Sequence, residues 1–372
     1  LLHLRITTTS LHFSNFFSSI GLPFFAEGNL SDQEVIFGPD SISKLGEVAK
    51  ELGDRALLVT DSGLAKAGHA ERALDYLTRS GLETKLFDRS IENPTDSSVR
   101  ACAEFARSTE INLIVGLGGG SSMDTAKGCN FLLTNGGKMA DYWGVGKANQ
   151  SMLPLIAIPT TAGTGSEVGR VSVITNPEEQ RKVLIFHPDM PANLVMLDPV
   201  CIAGLPPSIT AATGMDALSH CLEAWCAPGF HPMADGIALS GIKLIKQSLA
   251  KSVFDGGDLL ARTHMLTASV MGATAFQKGL GAMHALAHPL GARYGLHHGL
   301  LNAILMPYVV EKNAPAIQDR LAELARTLEL GDRPANVLDW ILELRDQLSI
   351  PMHLRAPAGD SIDSVWVSEQ AL

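Results

Sequence analysis

At 372 residues with 46% hydrophobic side chains, the chain is long for a single core and apolar enough to fill two, so two packed domains are expected. A formal net charge of −10, with no run of Lys and Arg, excludes a phosphate-tracking nucleic-acid surface and favours a small-molecule partner. Five cysteines, an odd set without a C-x-x-C pair, suit reduced thiols in the cytoplasm, and no apolar stretch, LLNAILMPYVV after Gly299 included, reaches the roughly 20 residues of a membrane span.

The first 27 residues, LLHLRITTTSLHFSNFFSSIGLPFFAE, are rich in Ser, Thr, Phe and Leu, and their single acidic residue is the last. The composition is similar to that of a targeting segment, but dense Arg content and a small-residue cleavage site are missing, so an extension outside the fold is expected. Over residues 28–206 short apolar runs alternate with helical spacing. RALLVTDSG (55–63), LETKLFD (82–88), NLIVGLGGG (112–120) and PLIAIPTT (154–161) read as strands, and SISKLGEVAKEL, ERALDYLTRS and DSSVRACAEFARS as the helices between them. This is the pattern of an α/β domain around a parallel sheet. From Pro207 the strand-like alternation gives way to Ala-, Leu- and Met-rich amphipathic stretches, so residues 207–372 are expected to form an all-α domain. No repeat or flexible linker separates the halves, which places a ligand cleft between them.

NLIVGLGGGSSMDTAK (112–127) is an apolar strand, then Gly116, Gly118, Gly119 and Gly120, then a helix opening near Met123. Glycines let the backbone approach a pyrophosphate, and a helix start offers free N–H groups and the positive end of its dipole, as in a Rossmann-like domain. Ser121 stands where G-x-G-x-x-G, counted from Gly116, requires its third glycine, so a plain turn capped by Ser121 or Ser122 is the alternative. A second loop, PTTAGTGSEV (159–168), is dense in hydroxyls and glycines, and two such loops suit a long ligand. Asp61, ending the first strong strand, is typed to accept bonds from ribose hydroxyls and to repel a 2′-phosphate, which favours NAD over NADP. Asp61-Ser62-Gly63 reads equally well as a turn or helix cap.

Asp216-Ala-Leu-Ser-His220 has helical spacing, which puts its first and last residues on one face, and His284-Ala-Leu-Ala-His288 repeats the arrangement. After a turn expected at Pro289-Leu-Gly-Ala, His297 and His298 add two more imidazoles. Any one of these histidines reads as well as a satisfied core residue. Several imidazoles beside a carboxylate in uncharged surroundings are more simply explained by a shared divalent cation.

GGGSSMDTAK, AIPTTAGTGSEV, TGMDALSHCLEAW and GAMHALAHPLGARYGLHHGLLNAILMP together resemble the iron-containing (group III) alcohol dehydrogenase family, which includes lactaldehyde reductase and propanediol dehydrogenase, over roughly residues 35–354. The resemblance implies the two-domain fold shared with dehydroquinate synthase. It implies Fe²⁺, or Zn²⁺ or another divalent metal, held by Asp216, His220, His284 and His298, with His288 nearby in the catalytic pocket and His297 the extra one. It would place NAD against Asp61, Asn93, Gly119, Gly120, Ser121, Thr160, Thr161, Thr164, Ser166, Lys182 and Leu197. The implied reaction is hydride transfer between NAD and a small primary alcohol or diol, or its aldehyde, with the metal as Lewis acid on the substrate oxygen. A homodimer or larger homo-oligomer is implied as well. His288 is the expected relay for the alcohol proton, because imidazole titrates near neutrality.

Two features depart from the family pattern: Gly169-Arg170 follow Val168 where many members carry Thr, and a further helical segment would be expected past the last residue. The competing readings are a dehydroquinate synthase-like lyase using NAD transiently, a glycerol dehydrogenase-like zinc enzyme and an inactive binding protein. The lyase needs basic residues for a substrate phosphate, and around the ligand motifs the sequence shows the single Arg293.

Overall fold

The structure is a computed structural model that describes residues 2–5, 33–145, 147, 148, 150–355 and 361–371. Its first half runs β1 (Leu2–Arg5), β2 (Glu34–Phe37), α1 (Leu45–Leu52), β3 (Arg55–Asp61), α2 (Ser62–Lys66), α3 (His69–Arg79), β4 (Glu83–Ser90), α4 (Asp96–Arg107), β5 (Leu113–Gly118), α5 (Gly120–Asn135), β6 (Gly144–Val145), β7 (Leu155–Pro159), β8 (Val171–Asn176), β9 (Arg181–Phe186) and β10 (Leu194–Leu197). Seven strands form one sheet in the order β1-β2-β10-β7-β5-β3-β4. From β2 to β4 every pairing is parallel. Strands β5 and β7 are buried along their whole length, as expected where helices cover both faces of a parallel sheet. The two-residue alternation of β3 sends Leu57 and Val59 into one core with Val99 and Met123, and Ala56 and Leu58 into another with Leu45 and Leu77.

Two expectations need correction here. Leu2–Arg5 pairs antiparallel with β2, so four residues of the segment expected outside the fold extend the edge of the sheet, whose unpaired backbone groups are a ready template for a strand. The remainder of that segment, residues 1 and 6–27, lies outside the described residues. A small second sheet, β6-β9-β8, was also not anticipated; its β8–β9 hairpin carries Lys182 to the edge of the helical half.

That half contains α6 (Val200–Ala203), α7 (Pro207–Cys226), α8 (Pro232–Phe254), α9 (Leu259–Ala275), α10 (Ala282–Tyr294), α11 (His298–Asn313), α12 (Gln318–Thr327), α13 (Ala335–Gln347) and α14 (Ser364–Gln370). Pro207 takes the first turn of α7, where its missing N–H costs nothing. From Thr210 to Trp225 every residue of α7 is buried, so this helix is the axis around which α8, α9 and α11 pack. At the junction of the halves, Arg262 is almost fully buried and donates to Thr210 Oγ1 at 2.9 Å and to the carbonyls of Ala203, Leu205 and Gly256. Pro289 does not end its helix as expected: α10 continues to Tyr294 and stops at Gly295, which adopts φ +64 and returns its N–H to Gly291 O. Packing of the buried Pro289 and Leu290 sustains the helix past the one missing hydrogen bond, and the left-handed glycine terminates it. No helix among the described residues is long and apolar enough to cross a membrane.

Candidate active site between the sheet and the helical half

The glycine turn at the end of β5 is built for close backbone approach. Gly118 has φ +153, and a Cβ there would lie 2.5 Å from Ser122; a Cβ on Gly120 would lie 2.8 Å from Thr164 Cγ2. Helix α5 begins at Gly120 rather than near Met123, with Gly119 as N-cap and no side chain capping it. The alternative of a serine cap is therefore not what the chain adopts: Ser121 Oγ accepts from Asn93 N at 3.3 Å, and Ser122 Oγ donates to Asp61 Oδ2 at 3.4 Å. Asp61 caps α2, its Oδ1 accepting from Gly63 N and Leu64 N, while Oδ2 accepts from Ser122 Oγ beside the glycine turn. Asn93 turns the chain with φ +50, a conformation Asn tolerates better than most residues.

The second loop lies against the first. Thr160 N donates to Gly118 O at 3.0 Å, and Thr161 abuts Gly119 as Thr164 abuts Gly120. Ser166 is already engaged, its hydroxyl donating to Asp124 Oδ1 at 3.0 Å and accepting from Lys127 Nζ at 3.3 Å. Sequence reasoning did not single out this Lys127 network, although Asp124 and Lys127 stand in the quoted GGGSSMDTAK motif. Fully buried, Lys127 also donates to the carbonyls of Ser166, Gly169 and Val171, pinning the loop from beneath. Burial raises the Asp124 carboxyl to about 6 and that of Glu167 to about 7, and lowers the Lys127 ammonium to about 8. Leu197 ends β10 as a buried residue of the core beneath these loops.

In the helical half, Asp216 and His220 come from α7, His284 from α10 and His298 from the first turn of α11. Their ligand atoms all lie within 4.8 Å of one another. Asp216, His220 and His284 are nearly inaccessible, at 1%, 4% and 3% exposure. Burial pushes His220 down to about 4 and His298 well below the usual imidazole range, so both present neutral nitrogen lone pairs. Three of the four donors converge on one point: Asn302 Nδ2 lies 2.8 Å from Asp216 Oδ1 and 3.2 Å from Nε2 of both His284 and His298. One carboxylate and three imidazoles, three of the four groups buried and all converging, fit a first-row divalent cation.

Outer partners fix which nitrogen two of the three imidazoles, His284 and His220, turn inward. Glu223 Oε2 accepts from His284 Nδ1 at 2.7 Å, leaving Nε2 for the cluster, and Oε1 accepts from Met283 N at 2.7 Å. Burial works to raise the Glu223 carboxyl, but these bonds and that from Gly281 N hold it below its ordinary value. His220 Nδ1 meets the carbonyl of Gly163 at 3.2 Å. Neither Glu223 nor Asn302 was found from sequence; the available signal was helical spacing, since Glu223 follows His220 by three positions and Asn302 follows His298 by four.

His288 stays outside the four-donor cluster, its ring centroid 5.3 Å from that of His298 and 6.0 Å from that of His284. Burial first, then the Lys182 charge, lowers it to about 3, so the expectation that it titrates near neutrality does not describe the chain as it stands. His297 has separate work as N-cap of α11, accepting from Leu300 N at 3.3 Å. Lys182 comes from β9 against α10, where a Cβ on Gly291 would lie 3.6 Å from its Nζ, and burial lowers its pKa against the pull of Asp124, Asp216 and Glu92. Arg293, the one base the sequence placed here, is turned to Asp363 at 3.6 Å and stacks on Trp366, away from the four donors.

This geometry has close relatives. A family profile described as iron-containing alcohol dehydrogenase matches residues 32–199, and that of the family's C-terminal domain matches residues 210–360. The chain is 41% identical over 329 residues to 4-hydroxybutyrate dehydrogenase of Cupriavidus necator, covering 85% of each. It is 37% identical to 1,3-propanediol dehydrogenase of Klebsiella pneumoniae, covering 90% of each. A crystal structure of a 1,3-propanediol oxidoreductase superposes with a TM-score of 0.87 at 36% identity, over 91% of both chains. The chain therefore belongs to the iron-containing alcohol dehydrogenase family, and is a metal- and NAD-dependent oxidoreductase of a small alcohol or its aldehyde.

Proposed function

We propose that the chain interconverts a small primary alcohol or diol and its aldehyde, with the metal held by Asp216, His220, His284 and His298. The observation that carries this reading is the convergence of those four donors within 4.8 Å in a nearly dry pocket beside the paired glycine loops. Relatives named for 4-hydroxybutyrate and 1,3-propanediol support a short substrate with a second polar end. Lys182 supplies a positive charge beside the donors and is our candidate to meet that polar end or the cofactor. When bound, the metal supplies Lewis acidity at the substrate oxygen, and NAD supplies the hydride acceptor.

The chain's own groups do the positioning. Glu223 and the Gly163 carbonyl aim two imidazoles inward, and Asn302 ties Asp216 to His284 and His298. The glycine turn, with Asp61, Asn93, Ser121, Thr160, Thr161 and Thr164 around it, is proposed to hold NAD, supported by the bare start of α5 and by Asp61 Oδ2 beside the turn, where it accepts from Ser122 Oγ. Ser166 enters that reading as a support of the loop through Asp124 and Lys127, and Leu197 as part of its apolar floor. His288 keeps the role of proton relay as a proposal supported by its place beside His284 and His298. His288→Ala is expected to lower kcat by about 10²-fold or more with metal content unchanged; unchanged turnover in a metal-loaded variant ends that role.

Division into domains at 28–206 and 207–372 is likewise our reading, supported by the family matches that end at 199 and resume at 210. Family membership supports a homo-oligomer, which light scattering would measure. Four buried free thiols, Cys102, Cys129, Cys201 and Cys221, support a reducing, cytoplasmic setting. Absorbance of NADH on mixing the protein with NAD and a panel of primary alcohols, 1,2- and 1,3-diols and 4-hydroxybutyrate, before and after chelation and return of Fe²⁺ or Zn²⁺, tests the function. Metal-restored NADH formation with a short diol or hydroxy acid is expected, and none with any alcohol or metal overturns the reading.

A further inference from the structure

The segment Thr160–Gly165 touches both halves of the active site. On the cofactor side its threonines press on the glycine turn, Thr161 against Gly119 and Thr164 against Gly120. On the metal side the carbonyl of Gly163 is the partner of His220 Nδ1, at 3.2 Å. Between these contacts the segment is wedged against the helices. A Cβ on Gly163 would sit 2.7 Å from Thr213 O of α7, and Gly165, at φ +60, would carry a Cβ 2.2 Å from that of Ala273 in α9. Backbone packed this closely cannot yield independently at its two ends.

We propose that this segment couples the two sites, the Gly163 carbonyl acting as a positioning group for His220, so that occupation of the glycine turn strengthens metal binding. The proposal rests on the ligand and cofactor sites proposed above. A His ligand is held in its tautomer and ring orientation by the acceptor on its other nitrogen, and loss of such a partner typically costs 10–100-fold in metal affinity. A ligand that steadies Thr161 and Thr164 steadies the same short loop that presents the carbonyl. Linkage then requires the metal to strengthen cofactor binding by the same factor, typically about 5–150-fold for coupled sites.

The decisive probe is ADP-ribose, which carries the pyrophosphate for the glycine turn but no nicotinamide to reach the metal. Zn²⁺ affinity of the metal-free protein, measured by competition with a chromophoric chelator, is expected to rise about tenfold when ADP-ribose is saturating. ADP-ribose affinity, measured by calorimetry, should rise by an equal factor when Zn²⁺ is bound. Gly120→Ala, whose Cβ would displace Thr164, is expected to weaken Zn²⁺ binding about tenfold in cofactor-free protein although Gly120 is not among the four donors. If Zn²⁺ and ADP-ribose each bind but neither alters the other, or each weakens the other, the proposal falls; this arm uses unaltered protein, so a poorly folding variant does not decide it. If Zn²⁺ fails to bind, or Asp216→Asn binds it equally well, the metal-site reading itself falls. A failure of ADP-ribose to bind removes the cofactor-site reading, and the coupling with it.

Discussion

Asp216→Asn should leave a folded protein that no longer holds its metal. Asp216 is the one anionic member of the four-donor cluster and is 1% exposed, so the amide keeps the shape of the site while removing the charge that offsets a buried cation. Metal affinity is expected to fall by more than the roughly 10–100-fold that an outer partner costs. kcat/KM should fall by about three orders of magnitude, because several kcal/mol of charge stabilisation disappear and each 1.36 kcal/mol is a factor of ten. The Tm of the metal-free variant should equal or exceed that of the unaltered metal-free chain, since a buried carboxylate has been neutralised. Chelator competition, steady-state kinetics and calorimetry check the three parts. Retained stoichiometric binding with full activity would falsify the assignment of Asp216.

Glu223→Gln is expected to have the next largest effect, although Glu223 lies outside the four-donor cluster. Its two oxygens serve different groups, Oε1 the N–H of Met283 and Oε2 the Nδ1 of His284. A glutamine can keep the first bond only by turning its amide N–H toward His284. That placement favours the tautomer with the proton on Nε2, the nitrogen that faces Asn302 and the cluster. Metal affinity should drop about 10–100-fold, with kcat of the fully loaded enzyme much less affected. NAD affinity of the metal-free variant should be unchanged. The opposite pattern, unaltered metal binding with impaired kcat, would mean that Glu223 acts on the substrate instead. Glu223→Ala is the harsher variant, since it strands the Met283 N–H and a buried imidazole together.

How much of this was legible beforehand depends on which residues carry the signal. The alternation of β3, β5 and β7 with helices announces a parallel sheet, because strands buried on both faces must be apolar throughout. The four donors could be named because Asp216 and His220 sit one helical turn apart and the family motifs surround them. The β8–β9 hairpin escaped notice, its half-buried alternation interrupted by the charged run around Glu178, Glu179 and Arg181. Pro289 misled for the opposite reason: local chemistry predicts a break, and packing overrides it.

By itself, then, the sequence determined the alternating α/β half, the helical half, the two glycine-bearing loops and the donor types, all of which follow from periodicity and side-chain chemistry read over short spans. Spacing left open the division of labour among similar residues, which the family resemblance implied and the tertiary structure set out. His298 joins the cluster while the adjacent His297 caps a helix, and His288 stands off though it repeats the spacing that unites Asp216 with His220. Tertiary structure also supplied the supports that no local pattern marks: Glu223 behind His284, Asn302 among three donors, and a backbone carbonyl from the loop at Gly163 behind His220. The physical reason is that the second nitrogens of His284 and His220 are oriented by partners from a helix and a loop dozens of residues away, brought together only when the chain folds.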